Sequence, residues 1–210
     1  MPGVEVETTT SAYPSFRFVQ SRLTDAPLER ALSRALRARL PDVVLVSDYG
    51  GGTAWSLPWI VERLGARVVV ATESARVLCH RGTLVHATEG ACGDFLDPRR
   101  CRDCCSMSTP DGLGPIAAAA ARRLRWLHGF SPFPNSVQFE NRLDMVVHGL
   151  LNSDLVLVED AIAVERLVAA GVGRRVLRVV PLAERTPEAL LELFGSLVGQ
   201  EAPPANAAGS

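Results

Sequence analysis

The chain has 210 residues, 47% of them hydrophobic, and a formal net charge of -1. This size and apolar content suit one sizeable hydrophobic core, and a charge so near zero gives no electrostatic reason to expect nucleic acid or an anionic membrane as partner. No apolar run approaches the ~20 residues of a membrane span, and no leading apolar segment preceded by a basic stretch marks a secretory signal. We therefore expect a cytoplasmic protein with no nucleic-acid partner and no transmembrane segment.

The first part of the chain alternates helical and strand patterns. Leucines at four-residue spacing form one apolar stripe, which indicates an amphipathic helix that ends at Pro41. Short runs of valine and leucine without alternation are typical of strands that are covered on both faces. In chain order, the predicted elements are a helix capped by Asp25 that runs through Leu28, Leu32, Leu36 and Leu40, a strand from Val43 to Val46, a helix from Trp55 to Leu64 closed by Gly65, and a strand from Arg67 to Thr72.

A cysteine-rich loop is predicted from about residue 74 to residue 113, and the alternation then resumes. The later predicted elements are a helix from Pro115 through Ala121, a helix through Phe139, Leu143, Val147 and Leu150, a strand from Leu155 to Val158, a helix from Ala161 to Ala170, a strand from Val176 to Val180 and a helix from Pro187 to Leu197. Such alternation implies parallel strands joined by helical crossovers. We expect a Rossmann-like, three-layer α/β fold with a mostly parallel sheet, forming one domain over residues 1–200. The tail over residues 201–210 should be disordered because Ala, Pro and Gly dominate it.

All five cysteines lie within one short stretch, as Cys79, Cys92, Cys101, Cys104 and Cys105. Two residues separate Cys101 from Cys104, a spacing that lets one turn of backbone present two sulfurs to the same ion. Cys79 and Cys92 can supply the other two ligands of a tetrahedral zinc ion. We predict a structural zinc site held by Cys79, Cys92, Cys101 and Cys104, with His80 and His86 as reserve ligands and Cys105 as the spare thiol.

Four other uses of the cysteines compete with structural zinc. Disulfides are rare in a reducing cytoplasm. A redox Cys-x-x-Cys should lie near the start of a helix that follows a strand, whereas we expect Cys101 and Cys104 to lie in a loop, among Asp97, Pro98 and several arginines. Thiols retained without a metal remain an alternative. A catalytic zinc would need an open coordination position, and four available cysteines argue against one.

Two stretches of the sequence carry a resemblance to a known family. The first combines Pro41-Asp42-Val43-Val44 with Cys79-His80-Arg81-Gly82-Thr83-Leu84 and the four later cysteines. The second is Asn152-Ser153-Asp154-Leu155-Val156-Leu157-Val158, followed by Val179-Val180-Pro181. Together they resemble the amino-terminal domain of the retaining glycosyltransferases of family 4 over about residues 40–182. The resemblance implies a GT-B architecture of two facing Rossmann-like halves, of which the first binds the sugar acceptor and the second the nucleotide-sugar donor.

The chain also departs from the pattern of that family. Only Val4-Glu5-Val6 precedes the first helix, so the usual first strand and glycine-rich loop are missing. Glu73 and Ser74 stand where the family commonly has a His-Asp pair, and Glu159 and Asp160 replace the serine or threonine after the fourth strand. The sequence ends where the donor domain would begin.

We therefore expect a glycosyltransferase-like protein, the acceptor-side half of a GT-B enzyme without its donor-binding domain. It would work with a separate donor-binding subunit, or as a homodimer, or be a pseudoenzyme that is inactive alone, and no catalytic residue is assigned. The acceptor is expected at the carboxyl ends of the strands, at Asp48, Tyr49, Gly50, Glu73 and Arg81. The alternative is a noncatalytic zinc-containing interaction module that docks through the cysteine segment and the helix around Phe139. In either case the missing strand would leave an open sheet edge at residues 43–46 or 68–70.

Overall fold

A computed structural model describes residues 26–47, 49, 55–107 and 136–199. Within these ranges the chain forms a mixed α/β fold. The described helices and strands are, in chain order, α1 (Ala26–Arg39), β1 (Val43–Ser47), α2 (Leu57–Arg63), β2 (Arg67–Ala71), α3 (Ser74–Leu78), β3 (Val85–His86), β4 (Gly90–Ala91), α4 (Pro98–Met107), α5 (Ser136–Leu151), β5 (Leu155–Val158), α6 (Ala161–Ala169), β6 (Leu177–Val179) and α7 (Pro187–Val198).

Four of the strands form one parallel sheet in the order β1-β2-β5-β6. The predicted alternation of strands and helices with parallel pairing is confirmed. The strands β2 and β5 lie at the centre, where Val69 is paired with Leu155. Their side chains are almost all buried, because helices or chain segments cover both faces of a parallel sheet. This burial explains the uninterrupted apolar runs of the sequence.

The two faces of the sheet pack against different helices. On one face, Val68 and Val156 belong to a core that also contains apolar residues of α1, α2, α5 and α6. On the other face, Val69 and Leu157 contact α7 through residues such as Phe194. Helices thus lie on both sides of the described sheet, an arrangement consistent with a Rossmann-like fold.

Leu40 does not continue the buried stripe of α1, which corrects one prediction. It follows the last helical residue, has a φ of 45° and is 77% exposed, whereas Leu36 is buried. The reason is Pro41, since a proline disfavours the helical conformation of the residue before it.

Of the two predicted edge strands, β1 lies at an edge of the described sheet, and β2 is paired on both sides. The amino-terminal Val4-Glu5-Val6, the helix predicted from Pro115 and the tail over residues 201–210 lie outside the described residues. Among the helices described, none is long and apolar enough to cross a membrane.

Candidate functional site

Polar side chains gather at the edge of the sheet where β2 and β5 end. The Glu159 carboxylate, just after β5, accepts hydrogen bonds from the Ser74 backbone N–H at 3.0 Å and from the Ser74 hydroxyl at 2.6 Å. Ser74 begins α3 and is fully buried. Hydrogen bonds to an ionised acceptor are among the stronger ones in proteins. This pair therefore ties the ends of the two central strands together and fixes the start of α3.

Arg185 reaches the same edge from the segment between β6 and α7. Its Nε donates to the Val180 carbonyl at 3.0 Å and its Nη2 to the Thr72 carbonyl at 3.4 Å. Burial lowers the pKa of Arg185, and the neighbouring Glu159 and Glu73 carboxylates counteract that shift. The guanidinium thus balances two carboxylates while it joins the ends of β2 and β6.

Glu73 is the predicted acceptor-binding residue that the structure places at this edge. Its side chain is 40% exposed and forms an ion pair with Arg76 at 3.4 Å. An exposed ion pair of this kind contributes about 0–1 kcal/mol. A ligand can therefore replace Arg76 as the partner of Glu73 at little cost, and the partly exposed Glu73 carboxylate is accessible to a ligand in solvent.

Tyr49 lies inside the core and does not face the edge. It is fully buried, its hydroxyl donates to the Trp55 carbonyl at 3.0 Å, and its own carbonyl accepts from the Thr72 hydroxyl at 2.7 Å. Burial raises the pKa of Tyr49 above its ordinary value. The Tyr49 side chain therefore serves packing, and the other two predicted contacts of this loop, Asp48 and Gly50, lie outside the described residues.

Arg81, also predicted to contact the acceptor, belongs to the cysteine segment instead. Its Nη1 donates to the Val85 carbonyl at 3.0 Å and points to the Cys104 sulfur at 3.8 Å. This position suits a guanidinium that offsets the negative charge of thiolates.

The five cysteines come together around one small cavity. They line it with His80, His86 and Phe95 among others, and its volume is about 20 Å³. All five are free thiols. As they stand, no three His, Cys, Asp or Glu side chains of the described residues are arranged to hold a metal ion. The predicted ligands are therefore neighbours, but the structure does not present a formed zinc site.

Cys101 and Cys104 lie on α4, so the prediction that they lie in a loop was wrong. The helix begins at Pro98, and the Asp97 carboxylate before it accepts from the Arg99 backbone N–H at 2.8 Å. Asp followed by Pro is a frequent signature of a helix start, so the sequence contained the signal. On a helix, Cys101, Cys104 and Cys105 share one face, because residues three and four apart are neighbours.

Cys101 and Cys104 lie on a helix and not in a loop, so their position no longer argues against a redox pair, but the pKa of Cys101 does. Burial and, to a smaller extent, the nearby Cys79 and Cys92 raise the pKa of the Cys101 thiol to about 12. Redox-active thiols have a pKa below the ordinary value, because the thiolate is the reactive form. In this environment the thiolate form of Cys101 is disfavoured unless a cation lies next to the sulfur.

The two reserve histidines also border the cavity. His86 is buried, and the Thr88 backbone N–H donates to its Nδ1 at 3.4 Å. The ring of His80 packs edge-on against Phe139 with centroids 4.1 Å apart. Burial and, to a smaller extent, the nearby Arg142 lower the pKa of His80 to about 2. Phe139 is 1% exposed, so its own side chain packs inward, whereas Val137 on the same helix is exposed.

No protein-family model, no curated protein and no solved structure matches the chain. The resemblance to the glycosyltransferases therefore rests on the sequence motifs alone.

Proposed function

We propose that the chain is a glycosyltransferase-like domain of the acceptor-side type and that it binds a saccharide acceptor at the carboxyl edge of its sheet. The observation that supports this most is the placement of Glu73 and Glu159 at the ends of adjacent strands, with Arg185 beside them. Ligands of open parallel sheets bind in the crevice beyond the carboxyl ends of the strands. The proposal agrees with the motifs that resemble the acceptor-side domain.

The chemistry of this edge favours a neutral acceptor rich in hydroxyl groups. Both oxygens of Glu159 accept from Ser74, so this carboxylate holds the edge in place. Glu73 keeps a partly exposed carboxylate, which can accept hydrogen bonds from sugar hydroxyls. Two donors of Arg185 are already used on backbone carbonyls. A phosphate would meet two carboxylates here, and like charges disfavour each other.

Glycosyl transfer would need a donor site in addition to this edge. The GT-B arrangement holds the nucleotide sugar mainly on a second Rossmann-like half, whereas the described residues form a single parallel sheet. The donor would be held by a further domain or by a partner subunit. We assign no catalytic residue, and the 210-residue chain by itself is expected to transfer no sugar.

Calorimetry and ligand-observed NMR with two panels of compounds test this function. One panel contains neutral mono- and oligosaccharides, and the other contains uridine, guanosine and thymidine diphosphate sugars. We expect a saccharide to bind, Glu73→Gln to weaken that binding about tenfold, a loss of about 1.4 kcal/mol, and the exposed Glu192→Gln on α7 to leave it unchanged. Micromolar binding of a nucleotide sugar, or equal effects of the two variants, would contradict the proposal.

A further inference from the structure

The segment from Cys79 to Cys105 has almost no hydrophobic core. Of its side chains, only Leu84, His86 and Cys104 are buried. Its hairpin consists of two strands of two residues each, and an isolated hairpin even of ordinary length is marginally stable in water. Units with so little buried apolar surface usually depend on a metal ion or on disulfides. The free thiols of this segment point to the metal.

The cysteines are distributed in the way that such a metal would require. Cys79 follows α3 directly, Cys92 follows β4 directly, and Cys101 and Cys104 are one turn apart on α4. An ion pair between Arg100 and Glu89 links α4 to the hairpin at the surface, and an ion bound by all four sulfurs would join the three elements on their inner side. The cavity between them, about 20 Å³, has room for one water molecule or one ion. Coordination requires the sulfurs to move towards one point, which a cysteine achieves by rotating about its Cα–Cβ bond.

Hydrogen-bond donors already point at the Cys104 sulfur. The Ala87 backbone N–H donates to it at 3.3 Å, and Nη1 of Arg81 lies 3.8 Å from it. Donors of this kind stabilise a thiolate and orient it as a metal ligand. Within the described residues, no hydrogen bond to the Cys105 sulfur is found.

Positive charge near the cavity is also matched to an anionic centre. Four thiolates and one Zn²⁺ carry a net charge of -2. The guanidinium of Arg142 acts electrostatically on Cys101, and that of Arg100 acts on Cys92. Arg142 is 3% exposed, and a cation so deeply buried is stabilised by a nearby anion.

We propose that Cys79, Cys92, Cys101 and Cys104 bind one zinc ion that joins α3, the hairpin and α4, while Cys105 remains a thiol outside the coordination shell. The four ligands come from three elements, and one of them, Cys104, already accepts a hydrogen bond from the backbone. Cys105 follows Cys104 directly in sequence, and adjacent residues of a helix point about 100° apart. Cys104 is the more buried of the two and accepts the Ala87 N–H, so we assign Cys104 as the ligand. This assignment does not depend on the glycosyltransferase proposal.

The first experiment measures the metal content of the full chain purified under reducing conditions without chelators. We expect about one zinc ion per chain in the wild type and in Cys105→Ser, because neither lacks a ligand. Cys101→Ser and Cys104→Ser should each lower metal affinity by more than about tenfold, since even outer-shell changes cost 10–100-fold. Cys105→Ser is the matched control because it alters the same helix by the same change.

The second experiment separates ligand loss from misfolding. The full chain is loaded with Co²⁺, whose visible bands report tetrahedral sulfur coordination, and Cys104→His is included because it restores a fourth ligand. We expect the wild type and Cys105→Ser to share one spectrum and Cys104→His to bind Co²⁺ with shifted bands. Loading with metal should protect Cys79, Cys92, Cys101 and Cys104 from alkylation relative to the metal-free protein, whereas Cys105 should react at the same rate in both. Iron in place of zinc, substoichiometric metal, disulfides between these cysteines, or equal metal loss in Cys101→Ser and Cys105→Ser would each overturn the proposal.

Discussion

Replacing Gly149 with alanine tests whether Tyr49 is a core residue. Gly149 lies on α5, and a Cβ atom there would stand 2.1 Å from the Tyr49 hydroxyl oxygen and 3.1 Å from the Trp55 carbonyl oxygen. Real Cβ atoms do not approach other atoms so closely, so the tyrosine has to move. Because the tyrosine ring is fully buried, it has no open space to move into.

The expected change in the free energy of unfolding is a balance of opposing effects. In a helix interior, alanine is favoured over glycine by ~1 kcal/mol. Forcing an extra methyl group into a filled site costs about 1–3 kcal/mol, and losing the hydrogen bond from Tyr49 to Trp55 costs about 0.5–1.5 kcal/mol. The packing and hydrogen-bond losses exceed the helical gain, and we expect Gly149→Ala to destabilise the protein by about 2 kcal/mol.

Urea unfolding followed by circular dichroism measures this change, and Gly195→Ala on α7 is the matched control. A Cβ at Gly195 would meet nothing within 4 Å, so this variant keeps the helical gain of ~1 kcal/mol and should be more stable than the wild type. In a Tyr49→Phe background, which lacks the hydroxyl, Gly149→Ala should be less costly. If Gly149→Ala stabilises the protein as Gly195→Ala does, Tyr49 is not packed against α5, and its proposed exclusion from the acceptor site is wrong.

Three further predictions concern the edge, the cysteine segment and the assembly. Ser74→Ala should lower the free energy of unfolding by about 1.5–3 kcal/mol, because it removes a hydrogen bond to a carboxylate. The control Ser196→Ala, at an exposed position, should change it by less than about 0.5 kcal/mol. Similar values for both variants would refute the role of Ser74 and Glu159 in joining the strand ends. A strong zinc chelator should accelerate amide exchange in β3, β4 and α4 but not in β2 and β5. Uniform or absent acceleration would contradict a zinc ion that stabilises only the cysteine segment. Within the described residues β1 is paired on one side only, so we expect self-association or a partner at that edge, and a strict monomer by light scattering with fully protected β1 amides would refute this.

Local patterns in the sequence determined most of the sheet. Leu155–Val158 is the strand predicted, and Arg67–Ala71 and Val43–Ser47 differ from their predictions by one residue at one end. Runs of β-branched residues between helical patterns carry this information, because a strand that is buried on both faces needs apolar side chains at every position. The clustering of the cysteines was equally visible in the sequence, and it predicted that they lie close together, as they do around one cavity. The start of α4 could have been predicted too, since Asp97 and Pro98 form a local helix signal.

Only the tertiary structure decided which side chains of the predicted site reach solvent. Tyr49 is buried because α5, a hundred residues later in the chain, carries a glycine at the point of contact. Glu159 pairs with Ser74 across 85 positions of sequence, and no local pattern specifies such a partner. Arg81 turns to the cysteines although it follows a segment next to the sheet edge. The direction of a side chain at a strand end depends on what packs against it from elsewhere in the chain. The local sequence therefore predicted where the sheet edge lies, and tertiary packing decided that Glu73 faces it while Tyr49 does not.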